Sequence, residues 1–301
     1  MRVHGSLLVL ALASACTQPG GQGDELDGAS ASSSSDAADT GTASEASEVG
    51  TSSESETSTA SEADTSTSSE SEAESETGAV ERGRVLFVGN SYTFSNDLPG
   101  LFAATSASVG AAQDVDSLAV AGTTVAYHVA NPELVPLLEQ GWDVVVIQAQ
   151  SYEAIVDEPG YQAAMVEFAG LVAAASPGAR LLVFETWARA PGDPLLADLG
   201  MTPEQMQAAL SEAYAEAAQL VDAELAPVGQ AWALSLASAP AITLHFSDGS
   251  HPSLAGSYLA AAVFHAQVLG QPAAAIAWVP EGLAPADAMQ LAAFADQVVM
   301  P

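Results

Sequence analysis

The chain reads as an α/β protein, a three-layer α/β/α sandwich around a parallel sheet. Three observations predict it. From residue 85 onward, apolar runs of strand length alternate with longer helical patterns, the order that yields parallel strands joined by covering helices. The runs 85–88 and 144–147 are apolar at every position, as strands buried on both faces are. Ser91, Gly122 and Gln148 each follow such a run, and parallel sheets collect their functional groups beyond the carboxyl ends of their strands.

The elements follow in order. Residues 85–88 form the first strand, ending at Gly89-Asn90-Ser91, and 98–109 a helix. A second strand over 115–120 stops at Ala121-Gly122. The third, over 142–148, carries the strongest strand signal in the chain, Val144-Val145-Val146-Ile147. A helix over 161–175 is ended by Ser176-Pro177-Gly178, and a fourth strand runs over 180–186. The long helix 203–223 has Thr202 as its N-cap and Glu204 in its first turn. A weaker fifth strand over 225–228, a short helix over 231–236 and a closing helix over 253–269 complete the pattern. The tail, with Trp278 and the stretch 288–299, packs helices on the core.

The region before residue 81 is different. Arg2, the apolar stretch 7–13 and small residues leading to Cys16 resemble a bacterial lipoprotein signal over residues 1–16, with Cys16 as the lipidated residue. The run is too short to span a bilayer. An ordinary secretory signal cut near Ala15, leaving Cys16 free, is the alternative; Ala13 stands where such signals usually have Leu. Cys16 is the single cysteine, so no intramolecular disulfide forms. Residues 17–80 are Ser, Thr, Glu, Asp, Ala and Gly with almost no large apolar side chain, too little to offset ordering entropy, and are expected to be a disordered acidic tether. The expected location is across the inner membrane, lipid-anchored on the outer-membrane, periplasmic or cell-surface side. The expected domain is 81–301.

The formal net charge is −33, and the chain contains five arginines and no lysine. Residues 81–301 hold 23 acidic side chains against four arginines, a net −19. This balance argues against nucleic-acid partners and against charge-driven docking on an anionic membrane, leaving the lipid anchor as the expected membrane attachment. A neutral substrate suits the surface better than an anionic one.

Two short motifs carry the chemistry. Gly89-Asn90-Ser91 sets a serine after the first strand; Asp248-Gly249-Ser250-His251 sets an acid three residues before a histidine. A serine hydroxyl needs a base to become a nucleophile, and a histidine base needs an acid on its other ring nitrogen. These are the parts of a serine hydrolase. Ser91, Gly122, the Gln148–Ser151 segment and Asp248–His251, with Pro252-Ser253 and Ala255-Gly256-Ser257-Tyr258 following, resemble the blocks of the SGNH (GDSL-type) hydrolases in their Gly-Asn-Ser variant. The resemblance covers nearly all of residues 84–270. It implies a flavodoxin-like sheet (the SGNH hydrolase fold), catalysis by Ser91, Asp248 and His251, and an oxyanion hole from the N–H groups of Ser91 and Gly122 plus a side-chain amide. The usual Gly-X-Asn-Asp block is absent, and Gln148-Ala149-Gln150-Ser151 stands in its place. Gln148, which directly ends the strand, is the expected third donor, with Gln150 as the alternative.

Other residues are candidates for support or substrate contact. Asn90 is a candidate substrate contact and is also placed to brace the nucleophile turn. Trp187 is a candidate sugar-stacking platform and His128 a candidate pocket wall, each with a structural role as the alternative. His245 and His265 read as structural. No pair of histidines has metal-ligand spacing and no phosphate cradle appears, so no metal or cofactor is expected. The expected activity is an esterase acting on acyl groups, acetyl above all, on small molecules or glycans. A lipase or thioesterase, or a non-catalytic glycan-binding surface lipoprotein, are the alternatives. Oligomeric state is not legible.

Overall fold

The computed structural model describes residues 82–300. The signal and lipidation reading at 1–16, Cys16 included, and the tether reading at 17–80 lie outside the described residues.

The order of elements is β1 (Arg84–Gly89), α1 (Ser91–Phe94), α2 (Leu98–Ser108), β2 (Asp114–Ala119), α3 (Val125–Ala130), α4 (Leu134–Leu138), β3 (Val144–Ile147), α5 (Glu153–Val156), α6 (Glu158–Ala175), β4 (Arg180–Phe184), α7 (Pro194–Leu199), α8 (Pro203–Leu220), β5 (Glu224–Ala226), α9 (Val228–Ser238), α10 (Leu254–Leu269) and α11 (Pro285–Val299). All five strands are parallel, in the order β2-β1-β3-β4-β5. This is the flavodoxin-like order. The chain leaves β1 towards β2 and then returns to the other side of β1 for β3. The loops after β1 and β3 therefore diverge and open a crevice at the carboxyl edge of the sheet.

Side-chain alternation builds the three layers. Val85 and Phe87 of β1, with Val144, Val146, Leu182 and Phe184, join one buried cluster with α2, α9, α10 and α11. Leu86, Val88, Val145, Ile147 and Val183 join a second, on the opposite face, with α3, α4, α6 and α8. Edge strand β2 keeps Asp114, Asp116 and Ser117 exposed, charge and polarity that discourage further strand pairing.

Helix ends follow the expected caps. Thr202 closes a capping box with Gln205 at the start of α8, and Ser253 Oγ accepts from the Gly256 N–H at the start of α10. The fifth strand is shorter than expected. It ends at Ala226, because Pro227 begins the turn into α9 and Val228 is already helical. The fourth ends at Phe184 rather than Thr186, and α6 starts three residues early behind the Asp157 cap. The short helices α1, α3, α4, α5 and α7, four to six residues each, have no counterpart in the sequence reading; they are too brief to show a period.

Candidate active site

The β1 turn is built around Gly89 and Gln148. The Gln148 Oε1 accepts from the Asn90 N–H at 2.9 Å and from the Thr93 hydroxyl at 2.9 Å. A Cβ on residue 89 would lie 2.3 Å from Thr93 Oγ1 and 2.7 Å from Gln148 Oε1, so only glycine lets these groups meet. Asn90 is buried and caps α1, its Oδ1 accepting from the Tyr92 N–H at 3.1 Å while its Nδ2 donates to the Thr123 carbonyl at 3.1 Å. Ser91 is thereby the first residue of a helix, where its own N–H has no intrahelical acceptor.

The second motif is a tight loop. Gly249 sits at φ +73°, and Asp248 Oδ1 accepts from the N–H groups of Ser250 and His251, each at 2.9 Å. The Phe246 N–H donates to the His251 carbonyl at 2.7 Å, and the Ala190 N–H to the Gly249 carbonyl at 2.8 Å. So held, His251 Nδ1 meets Asp248 Oδ2 at 2.6 Å and His251 Nε2 meets Ser91 Oγ at 2.9 Å. Burial opposes ionisation of Asp248, but the hydrogen bonds from His251, Ser250 N–H and His251 N–H prevail and hold its carboxyl at about 2. An ionised carboxylate only accepts, so Nδ1 carries the proton and Nε2 of the neutral ring is free to accept from the Ser91 hydroxyl.

A stack of three rings ties the two motifs together. Tyr92 lies flat on Trp187 (4.5 Å, 4°), and Trp187 flat on Trp232 (3.9 Å, 3°). The Tyr92 hydroxyl shares a hydrogen bond with Ser250 Oγ at 2.8 Å, and Trp187 Nε1 donates to the Ser250 carbonyl at 3.0 Å. Ser91 opens into a cavity of about 620 Å³, walled by Gly122, Gln150, Ser151, Arg189 and Ser250 among others.

No family model matches the chain, and no curated protein does. Solved structures do. One, from Slackia heliotrinireducens and described as an SGNH hydrolase, is 31% identical over 62% of this chain and 98% of its own, with a TM-score of 0.54. The chain belongs to the SGNH hydrolases. It is accordingly a hydrolase. Two more distant structures share the fold: a DUF4886 family protein from Bacteroides uniformis (18% identity, 73% and 95% of the two chains, TM-score 0.65) and a GDSL-like lipase from Parabacteroides merdae (17%, 61% and 94%, 0.51).

The crevice of this SGNH hydrolase gathers Ser91, Asp248, His251, Gly122 and Gln150 from loops far apart in the chain. Gly122 has φ +70°, a conformation that favours glycine. Three expectations need correction. Gln148 is not at the cavity: it is fully buried, its oxygen spent on Asn90 and Thr93 and its amide donating to the Ala149 carbonyl. It still pairs in the sheet through the Val88 carbonyl, so its side chain points into the protein; Gln150, two residues on, is the glutamine that lines the cavity. Trp187 is 1% exposed with both ring faces covered, so it is core rather than platform. His128 is fully buried under β1, with Nε2 on the Gly89 carbonyl at 2.8 Å, and burial lowers its pKa and keeps it neutral. Asn90, offered as a substrate contact, edges the cavity, but its polar atoms are spent on the turn.

The sequence motifs include Ser151 and Ser250 but give them no role, and Tyr92 and Arg189 stand outside them. Arg189 had one signal: it lies just beyond the end of the fourth strand, where functional groups collect.

Proposed function

We propose that this hydrolase cleaves small acyl esters, acetyl esters on carbohydrate above all, outside the cytoplasm. The hydrogen-bonded line from Asp248 through His251 to Ser91, opening into a cavity, carries this reading. His251 Nε2 takes the Ser91 proton as Oγ attacks the acyl carbon. The tetrahedral oxyanion is met by the N–H groups of Ser91 and Gly122 and by the Gln150 amide. Collapse expels the alcohol, which receives the proton from His251, and leaves an acyl-enzyme. Water, deprotonated by the same nitrogen, then releases the acid and restores Ser91. The cavity wall joins Phe94, Ala121 and Gly122 to the polar side chains of Gln150 and Arg189, a mixed lining that suits a short acyl group on a polar alcohol.

The test is turnover of an activated acetyl ester, with fluorophosphonate labelling of Ser91. Ser91→Ala is expected to abolish labelling and to lower kcat at least about 10³-fold. An unchanged rate in that variant overturns the reading; a preference for long-chain or thioester substrates overturns the acetyl assignment. The location rests on the signal at 1–16. Mass measurement of the mature N-terminus should find a lipid-modified Cys16, and an unmodified cysteine or another cleavage point refutes the anchor.

A further inference from the structure

We propose that Arg189 is a specificity residue that receives a carboxylate carried by the ester substrate a few bonds from the scissile carbonyl. The inference rests on the reading that Ser91 cleaves esters, and deepens it by naming the substrate class.

The placement of positive charge is the first argument. Among the described residues, Arg84 and Arg180 begin β1 and β4, at the amino edge of the sheet. Arg180 is paired with Glu224 at 2.7 Å, and Arg84 donates to the Gln140 and Gly141 carbonyls. Arg82 lies beside Asp114, also at that edge. Arg189 alone of the described cations stands at the carboxyl edge, in the wall of the Ser91 cavity. A chain so poor in cations has put one in the wall of the cavity into which its nucleophile opens.

The state of its fork is the second. Nη2 donates to Ser151 Oγ at 2.8 Å. Nε is buried without an acceptor, and Nη1 is ion-paired with Asp193 Oδ2 at 3.8 Å, a separation beyond hydrogen-bond length. Asp193 balances its charge, but most of the five N–H donors of the guanidinium make no hydrogen bond within the protein. The side chain is only 13% exposed, with the Tyr152 ring 5.9 Å from the guanidinium carbon, so it is held in place before any ligand arrives. A partly buried guanidinium with open donors beside a cavity is ready to bind a further acceptor, and a carboxylate matches its geometry. The acidic surface disfavours anions in general; this one group reverses the preference inside the cavity.

The experiment compares wild type, Arg189→Met and Arg189→Lys on three activated esters. These are neutral 4-nitrophenyl acetate, mono-4-nitrophenyl succinate with its acid on the acyl side, and 4-acetoxy-3-nitrobenzoate with its acid on the alcohol side. The ratio of kcat/KM for one acid-bearing ester to that for the neutral ester should fall at least about tenfold in Arg189→Met and recover in part in Arg189→Lys. The ester that responds tells which side of the substrate carries the acid. Should Arg189→Met not fold, Arg189→Lys and Ser151→Ala make the same comparison, each expected to lower the ratio. If all rates fall together with Tm while the ratio holds, Arg189 only staples two loops and the inference is overturned. Wild-type turnover of the acetate alone also overturns it and leaves the esterase reading standing. No turnover of any ester overturns both.

Discussion

Asp248 is 43% exposed at its side chain, yet its carboxyl is held at about 2 by the donors around it. It therefore stays ionised throughout the acid range in which an esterase is assayed, and its charge fixes the His251 tautomer that accepts from Ser91. Asp248→Asn keeps the shape but can leave the proton on the wrong ring nitrogen. Its kcat should fall about 10²–10⁴-fold while fluorophosphonate labelling slows in proportion. A depressed carboxyl contributes stability above its unfolded value, and that contribution is lost as pH falls through the folded value. Wild type should thus lose stability relative to Asp248→Asn as pH drops from 3.8 towards about 2, readable as the difference in their Tm values. At this scale the sequence was most legible where the chemistry is local. Asp248 and His251 are three residues apart on one loop, so their pairing needs no knowledge of the fold. The contrast between Gln148 and Gln150 was illegible. It depends on which residue leaves the sheet ladder, a difference of two positions that composition cannot reveal.

The segment after β4 shows how one element serves another. Glu185 is fully buried and accepts from Ser211 Oγ at 2.6 Å, Gln230 Nε2 at 2.8 Å and Gln207 Nε2 at 3.1 Å. Burial raises its carboxyl pKa, and those three donors work against the rise. Gln207 in turn accepts from the Ala188 N–H at 2.8 Å, so the network anchors α8 and α9 to the loop bearing Trp187 and Arg189. Gly229 at the start of α9 permits the approach, since a Cβ there would lie 2.2 Å from the Thr186 carbonyl oxygen. Glu185→Leu strands two amides and a hydroxyl and should cost about 3 kcal/mol in urea unfolding. An unchanged midpoint would show that the network is dispensable. A fourth strand over 180–186 puts Glu185 and Trp187 at its end, and the local pattern does not give their direction. Trp187 faces inward because Tyr92 and Trp232, 95 and 45 positions away in the chain, cover its two faces.

For the folded region as a whole, charge works at two ranges. The net −19 over residues 81–301 repels anions from afar, while Arg189 attracts one at contact. Raising ionic strength from 0.01 to 0.15 M shortens the Debye length from about 30 to about 8 Å. That change should raise kcat/KM about twofold or more for an acid-bearing ester and leave 4-nitrophenyl acetate unmoved. Equal responses from the two esters would refute the long-range repulsion. The sequence by itself determined the α/β class, the five strands in order, and the two motifs that bring the serine, acid and histidine. Each is written in patterns of a few neighbouring residues, where periodicity and side-chain chemistry act locally. Only the tertiary structure decided which glutamine faces the cavity, that Trp187 and His128 are buried, and that Arg189 lines the cavity of the nucleophile. Those outcomes depend on the direction in which a side chain leaves its strand end and on what packs over it from distant parts of the chain, which no local pattern encodes.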